Sequence, residues 1–138
     1  MRRYLVVANQ TLGGGDLLAL LRELAESPST FHVLVPATPP VDHLWTEAEA
    51  TSIARHRLDT ALERFRTLGI EATGEVGDAR PLQAIDDVLA RESFDGIVLS
   101  TLPPRLSRWL KLDLVHRVQT TFGLPVRHVI THRETVEA

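Results

Sequence analysis

Residues 94–117 read FDGIVLSTLPPRLSRWLKLDLVHR, and this stretch decides the fold. Its first part predicts a short, fully apolar strand over residues 97–99 that stops at Ser100 and Thr101. A turn at two prolines follows, and then a predicted helix that carries Arg105, Arg108, Lys111, His116 and Arg117. In an open α/β sheet, ligands bind at the loop between a strand's carboxyl end and the next helix, because free N–H groups and the positive end of the helix dipole point there. We therefore expect this loop to form a wall of any small-molecule site.

Strand-like and helix-like segments alternate through the rest of the chain. Apolar runs predict strands over residues 4–8, 31–35 and 126–131, and a more polar strand is expected over residues 70–76, nearer a sheet edge. Helix starts are expected at three places: at Asp16 as a cap or first-turn acid, at the capping box of Thr46 and Glu49, and at Asp78 as a cap with Pro81 in the first turn. The alternation predicts a single α/β domain over residues 1–138, a three-layer sandwich with a five-stranded, mostly parallel sheet and helices on both faces. The polar end of the chain, residues 131–138, is expected to fray.

Composition excludes several classes of protein. The 138 residues contain no cysteine, which excludes disulfides and zinc sites built on thiolates. The sequence shows neither a signal peptide nor an apolar run of membrane-spanning length, so a cytoplasmic protein that binds no membrane is expected. The net charge of −3 argues against a nucleic-acid binder. Residues 100–117 nevertheless hold four cations against one anion, which indicates a locally anion-attracting end.

The order of these motifs resembles the universal stress protein family over nearly the whole chain. Members open with an apolar strand that ends in an acidic residue, here at Asn9, and enter the third helix through a Gly-Asp/Asn-Pro pattern, here residues 77–81 (GDARP). Their fourth strand reads Ala-Asp-x-Ile-Val-Leu-Gly-Ser, which residues 94–101 (FDGIVLST) follow, and their Cys-Pro-Val before the last strand corresponds to residues 123–126 (GLPV).

The resemblance implies a strand order of 3-2-1-4-5 and a homodimer joined through the last strand, Val126–Thr131. It also implies ATP or another adenine nucleotide as ligand, in a crevice beside residues 9–15 and 100–108. The candidate binding residues are Asn9, Thr11, Val35, Ser100, Thr101, Arg105, Ser107, Arg108 and Asp113.

The nucleotide loop departs from the family pattern. ATP-binding members have a glycine-rich stretch after the fourth strand, where this chain has Ser-Thr-Leu-Pro at residues 100–103. Pro103 and Pro104 remove two amide donors, since proline has no N–H. Asp113 falls where the later Gly-Ser pair belongs and would set a carboxylate against the phosphates, and Asn9 replaces the usual Asp. These departures predict that family-style ATP binding is absent, and no cofactor is assigned with certainty.

Other motifs leave alternatives open. Arg105, Arg108 and Lys111 are three apart and are expected to share one helix face; they fit either a small-anion site, assisted by the Thr101 and Ser107 hydroxyls, or a solvated face. Trp109 fits a core or interface position better than a base-stacking platform. The same holds for Trp45, which could also staple the helix that begins after Thr46.

Two further motifs carry weak signals. Gly13–Gly15 lack the spacing of a phosphate cradle and are expected to form a flexible loop. Asp113 and His116 have no third ligand nearby, so no metal site is assigned.

The preferred interpretation is a non-enzymatic, homodimeric binding or regulatory module of the universal-stress-protein type, since no acid–base constellation is present. One alternative is a nucleotide or anion binder that uses a rebuilt Ser/Thr/Arg loop. The second is an enzyme of the wider nucleotide-handling α/β class.

Overall fold

The computed structural model describes residues 1–39 and 46–132, and its centre is a five-stranded parallel sheet. The strand order is β3-β2-β1-β4-β5, and every neighbouring pair is parallel. The predicted α/β class and strand order are therefore confirmed. In chain order the elements are β1 (Arg2–Val7), α1 (Gly15–Leu24), β2 (Ser29–Pro36), α2 (Glu47–Thr67), β3 (Ala72–Gly77), α3 (Pro81–Leu89), β4 (Gly96–Thr101), α4 (Arg108–Lys111), α5 (Leu114–Phe122) and β5 (Val126–Ile130).

Helices cover both faces of the sheet. One layer packs α1 and α2 against alternate residues of the central strands, including Val6, Val33 and Val98. The other layer packs α3, α4 and α5 against the residues between them, including Leu5 and Leu99. Because side chains alternate across a strand, a strand that is covered on both faces must be apolar throughout. This explains the unbroken apolar runs in the sequence. None of the described helices is both long and apolar enough to cross a membrane.

The helix starts follow their local sequence with one exception. The Thr46 hydroxyl accepts from the Glu49 amide at 3.0 Å, and the Glu49 carboxylate accepts from the Thr46 amide at 2.9 Å, so the predicted capping box is present. Asp16 lies in the first turn of α1. Asp78, however, does not cap α3: the helix begins at Pro81 with Arg80 in the cap position, while the Asp78 carboxylate accepts from the Arg80 amide at 2.8 Å. Trp45 and its predicted staple lie outside the described residues, as do residues 133–138 of the predicted frayed tail.

The predicted single helix after β4 is wrong, because the segment forms two helices. Residues 104–106 form a turn in which the Pro103 carbonyl accepts from the amides of Leu106 (2.8 Å) and Ser107 (3.0 Å). The Ser107 hydroxyl then accepts from the Leu110 amide at 3.1 Å and caps the four-residue α4. Asp113, at φ 58°, is left-handed and separates α4 from α5. Arg105 therefore precedes the helix, and it does not share a helix face with Arg108 and Lys111.

Candidate functional site

A small polar crevice lies at the carboxyl ends of β1 and β4, where the strand order reverses direction. This is the position at which open α/β sheets bind ligands. The crevice has a volume of about 50 Å³, whereas pockets for drug-sized ligands hold about 300–1,000 Å³. None of the described residues that line it is a carboxylate, a histidine or a lysine. The lining consists of Asn9, Gln10, Thr11, Thr38, Pro39, Ser100, Thr101, Leu102, Leu106, Ser107, Arg108 and Trp109.

A chain of three buried hydroxyls forms the floor of this region. The Thr11 and Ser100 hydroxyl oxygens lie 2.6 Å apart, and those of Ser100 and Thr131 lie 3.0 Å apart. All three residues are at most 2% exposed. The chain joins the loop after β1 to the ends of β4 and β5, so these hydroxyls bind one another and hold the strand ends together.

Asn9 is buried and fully engaged by protein groups. Its side-chain amide donates to the Pro36 carbonyl at 2.7 Å and to the Thr38 carbonyl at 3.3 Å. Its side-chain oxygen accepts from the Arg57 guanidinium of α2 at 2.6 Å. An aspartate here would lack the donors that the two carbonyls require. The asparagine therefore fastens the end of β2 and the helix α2 to the end of β1.

The loop after β4 lines the crevice with side chains and does not present a row of free backbone N–H groups to it. Pro103 and Pro104 have no N–H, and the Ser107 hydroxyl already accepts from the Leu110 amide. The exposed Arg108 guanidinium reaches across the crevice mouth and donates to the Pro39 carbonyl at 3.2 Å. Arg108 is therefore the positive charge that stands at the mouth of the crevice.

The glycine loop after β1 is closed on itself. The Leu12 amide donates to the Asn9 carbonyl at 3.2 Å, and the Gly14 amide donates to the Thr11 carbonyl at 2.9 Å. The Arg64 guanidinium of α2 donates to the Gly13 carbonyl at 3.1 Å. Amides that are bonded within the turn cannot also cradle a phosphate.

The structure brings six of the nine candidate residues to the crevice: Asn9, Thr11, Ser100, Thr101, Ser107 and Arg108. Three lie elsewhere. Val35 is fully buried in the layer under α1 and α2, Arg105 lies exposed in the turn before α4, and Asp113 occupies the cap position of α5.

Sequence reasoning missed Thr38 and Pro39 as crevice walls, and Thr131 and Arg57 as partners. No local signal could have identified them, because their contacts join residues that are far apart in the chain. Trp109 belongs to the core under α3 and α5, as expected, and its edge also lines the crevice.

A histidine stands directly behind the crevice. The Nε2 atom of His128 lies 2.8 Å from the Thr101 hydroxyl oxygen. Burial lowers the pKa of His128, because the charged imidazolium is harder to solvate there. The neutral imidazole is therefore favoured beside the strand ends.

One group of described residues has metal-ligand character, but it lies away from the crevice. Potential ligand atoms of His32, Glu75 and Glu92 lie within 4.8 Å of one another. Arg91 pairs with Glu75, and Arg3 pairs with Glu92, each at 2.8 Å. Burial opposes ionisation of Glu75, yet hydrogen bonds from His32 and Arg91 lower its pKa. Because the two arginines already balance the carboxylates, the arrangement fits an ion-pair network.

The chain is similar in structure to a universal stress protein solved in complex with cAMP. The TM-score is 0.61 with 15% sequence identity, and the match covers 94% of this chain and 97% of that chain. No family model and no curated protein matches the sequence. At this identity the similarity shows that the two proteins share a fold.

Proposed function

We propose that this chain is a non-enzymatic binding and regulatory module of the universal-stress-protein type that lacks family-style ATP binding. The observation that carries the proposal is the crevice itself. Its volume of about 50 Å³ lies well below the roughly 300–1,000 Å³ of pockets for drug-sized ligands. An adenine nucleotide would need several times that volume.

The partners of the crevice residues support the same conclusion. The hydroxyls that would face a phosphate, Thr11 and Ser100, are bonded to each other at 2.6 Å. The amide of Asn9 is bonded to two backbone carbonyls. Because a buried polar group that loses its partner costs free energy, a nucleotide that displaced these bonds would have to replace each of them.

The lining of the crevice supports the non-enzymatic part of the proposal. Its described polar residues offer hydroxyls, amides and one guanidinium but no carboxylate or imidazole, and His128 contacts this lining through the Thr101 hydroxyl, at 2.8 Å. General acid–base catalysis needs a group that titrates near the working pH and lies within reach of the substrate. We expect no nucleotide hydrolysis above a buffer blank.

A homodimer through β5 completes the proposal. β5 is an edge strand that pairs with β4 alone in the described sheet. An open edge can pair with a second chain. A monomer at micromolar concentration in sedimentation velocity would contradict this part.

The test is isothermal titration of the purified chain with ATP, ADP, AMP, cAMP and inorganic phosphate, preceded by a mass check for co-purified ligand. We expect no micromolar binding of any of the four nucleotides. Micromolar heat with ATP or cAMP, lost in Ser100→Ala, would refute the proposal and favour a nucleotide binder.

A small-anion site is the second candidate, favoured by the Arg108 guanidinium at the crevice mouth. Among the described residues Arg108 donates there only to the neutral carbonyl of Pro39, so an anion could replace that carbonyl as the acceptor. Heat with phosphate alone, weakened in Arg108→Gln but not in Arg105→Gln, would support this candidate.

A further inference from the structure

A second cavity lies beside the crevice and is far larger. It has a volume of about 520 Å³, within the range of small-molecule sites. It runs between the start of α3 and the pair α4–α5, and it shares Thr38, Pro39, Arg108 and Trp109 with the crevice. We name this cavity the arginine groove. Its lining consists of Thr38, Pro39, Ala79, Arg80, Pro81, Leu82, Gln83, Arg108, Trp109, Leu112, Leu114 and Arg117.

One component of the arginine groove is apolar. Pro81 and Leu82 come from the first turn of α3, while Trp109, Leu112 and Leu114 come from α4, α5 and the residues between them. Leu112 is 57% exposed and, with Leu68 and Leu106, is one of three exposed leucines among the described residues. Apolar surface that faces an open cavity gains free energy when a ligand covers it.

The other part of the groove's lining is positively charged, because it includes three arginines. No described residue that lines the groove is acidic. Arg80 pairs with Asp78 at 3.0 Å, whereas among the described residues Arg108 donates only to the neutral Pro39 carbonyl. The guanidinium of Arg117 has no hydrogen-bond or ion-pair partner among residues 1–39 and 46–132. Two arginines of the groove thus have no carboxylate partner within the part of the chain that the structure describes.

The first turn of α3 adds to this field. Its cap residue, Arg80, provides no side-chain acceptor for the first amides of the helix. The positive end of the α3 dipole therefore lies at the groove, close to the Asp78 carboxylate, which accepts from the Arg80 amide at 2.8 Å.

We propose that the arginine groove binds a small organic anion with an apolar body, such as an aromatic or acyl carboxylate or sulfonate. Arg117 and Arg108 hold the charged group, because guanidinium forks match planar and tetrahedral oxyanions. Leu82, Leu112 and Trp109 cover the apolar body. The groove adjoins the crevice, with which it shares Arg108 and Trp109, but Arg117 and Leu112 line only the groove. The proposal does not depend on the proposed function.

The test uses 8-anilinonaphthalene-1-sulfonate, an aromatic sulfonate whose fluorescence rises in apolar surroundings, and its neutral analogue N-phenyl-1-naphthylamine. We expect the sulfonate to bind once per chain. We expect the neutral probe to bind at least about tenfold more weakly, since a hydrogen bond to a charged group changes binding by about that factor or more. The indole N–H resonance of Trp109, assigned with the help of Trp45→Phe, should shift on titration.

Two arginine variants form a matched pair. Arg117→Gln should weaken sulfonate binding about tenfold, while Arg105→Gln should change it less than about twofold, because both remove one exposed charge but only Arg117 lines the groove. Arg117→Lys keeps the charge and should recover part of the affinity. Circular dichroism and thermal unfolding check that each variant is folded.

A variant in the apolar wall tests the other component. Leu112→Ser should weaken sulfonate binding several-fold with little effect on stability, because Leu112 is already more than half exposed. The proposal is overturned by any of three results: no sulfonate binding, equal binding of the two probes, or equal weakening by Arg117→Gln and Arg105→Gln.

Discussion

The hydroxyl chain provides the sharpest test of whether the crevice is built for structure or for a ligand. Ser100 is its middle member, with hydroxyl contacts of 2.6 Å to Thr11 and 3.0 Å to Thr131. Ser100→Ala removes both hydrogen bonds from a site that is 1% exposed. At about 1 kcal/mol net for each bond, we expect a loss of about 2 kcal/mol in the free energy of unfolding.

The loss is larger if the Thr11 and Thr131 hydroxyls stay without a partner in Ser100→Ala. A buried hydroxyl that stays without a partner costs about 1–3 kcal/mol. Thr11 and Thr131 can rotate their hydroxyls, so part of this cost is recovered. For a chain of this size, about 2 kcal/mol corresponds to a decrease of roughly 8 °C in the midpoint of thermal unfolding.

Three further variants distinguish loss of the hydroxyl chain from a general effect of removing a serine. Thr131→Val keeps the shape of the side chain and breaks only the bond to Ser100, so we expect a loss of about 1 kcal/mol. The double variant, Ser100→Ala with Thr131→Val, should lose less stability than the sum of the losses in the two single variants, because each single variant already removes the Ser100–Thr131 bond. Ser52→Ala, at an exposed position in α2, is the control and should be neutral or slightly stabilising.

The assay is urea unfolding followed by circular dichroism, with ligand-free protein in one buffer. A loss smaller than about 0.5 kcal/mol for Ser100→Ala, the usual scatter of surface substitutions, would refute the structural role. The Ser100 hydroxyl would then be available to a ligand, and the argument against nucleotide binding would lose one of its two supports.

Three further predictions concern stability, pH and assembly. Thr46→Ala removes the capping box of α2 and should cost about 1 kcal/mol in urea unfolding, whereas Ser52→Ala should not. Burial lowers the pKa of His128 in the folded state. As the pH falls, His128 therefore becomes protonated in the unfolded chain, at about pH 6.5, before it does so in the folded chain. Stability from this residue is therefore present above that pH and is lost below it, and the decrease in stability from pH 7.5 to 5 should be smaller in His128→Gln. The Thr131 amide donates to the Thr101 carbonyl, so the alternating ladder points the Ile130 amide away from β4; Ile130→Pro should therefore abolish the proposed dimer in sedimentation velocity and leave the monomer folded.

The layer structure was predictable because it depends on patterns that are local in the sequence. Continuous apolar runs such as Leu5–Ala8 and Ile97–Leu99 fit only strands that are covered on both faces. The capping box at Thr46 was also readable, because its two partners are three residues apart. The strand order came from the family resemblance, and the structure confirmed it.

The break between α4 and α5 was not predictable from the same kind of pattern. Apolar residues continue through the segment at Leu110, Leu112 and Leu114, which hides the end of a helix. The left-handed conformation of Asp113 is one that aspartate tolerates better than most residues, but nothing local demands it. The error with Asp78 has a similar origin: an acid near a helix start can bind an amide of the preceding turn instead of capping the helix.

The arguments against ATP binding from the sequence and from the structure are independent. The first rests on a covalent fact, the missing N–H of Pro103 and Pro104. The second rests on tertiary partners that no local pattern reveals: Thr11 and Ser100 bind each other, and Arg108 binds the Pro39 carbonyl.

A nucleotide that used these groups would have to compete with the Thr11–Ser100 contact and the Arg108–Pro39 hydrogen bond and widen a cavity of about 50 Å³, and Pro103 and Pro104 would still provide no amide in return. Opening of this kind costs free energy that the ligand must supply through better contacts with the open state. Binding of ATP would therefore have to be accompanied by shifts in the amide resonances of both the β1 and β4 ends. Heat without those shifts would mean that the nucleotide binds elsewhere on the chain.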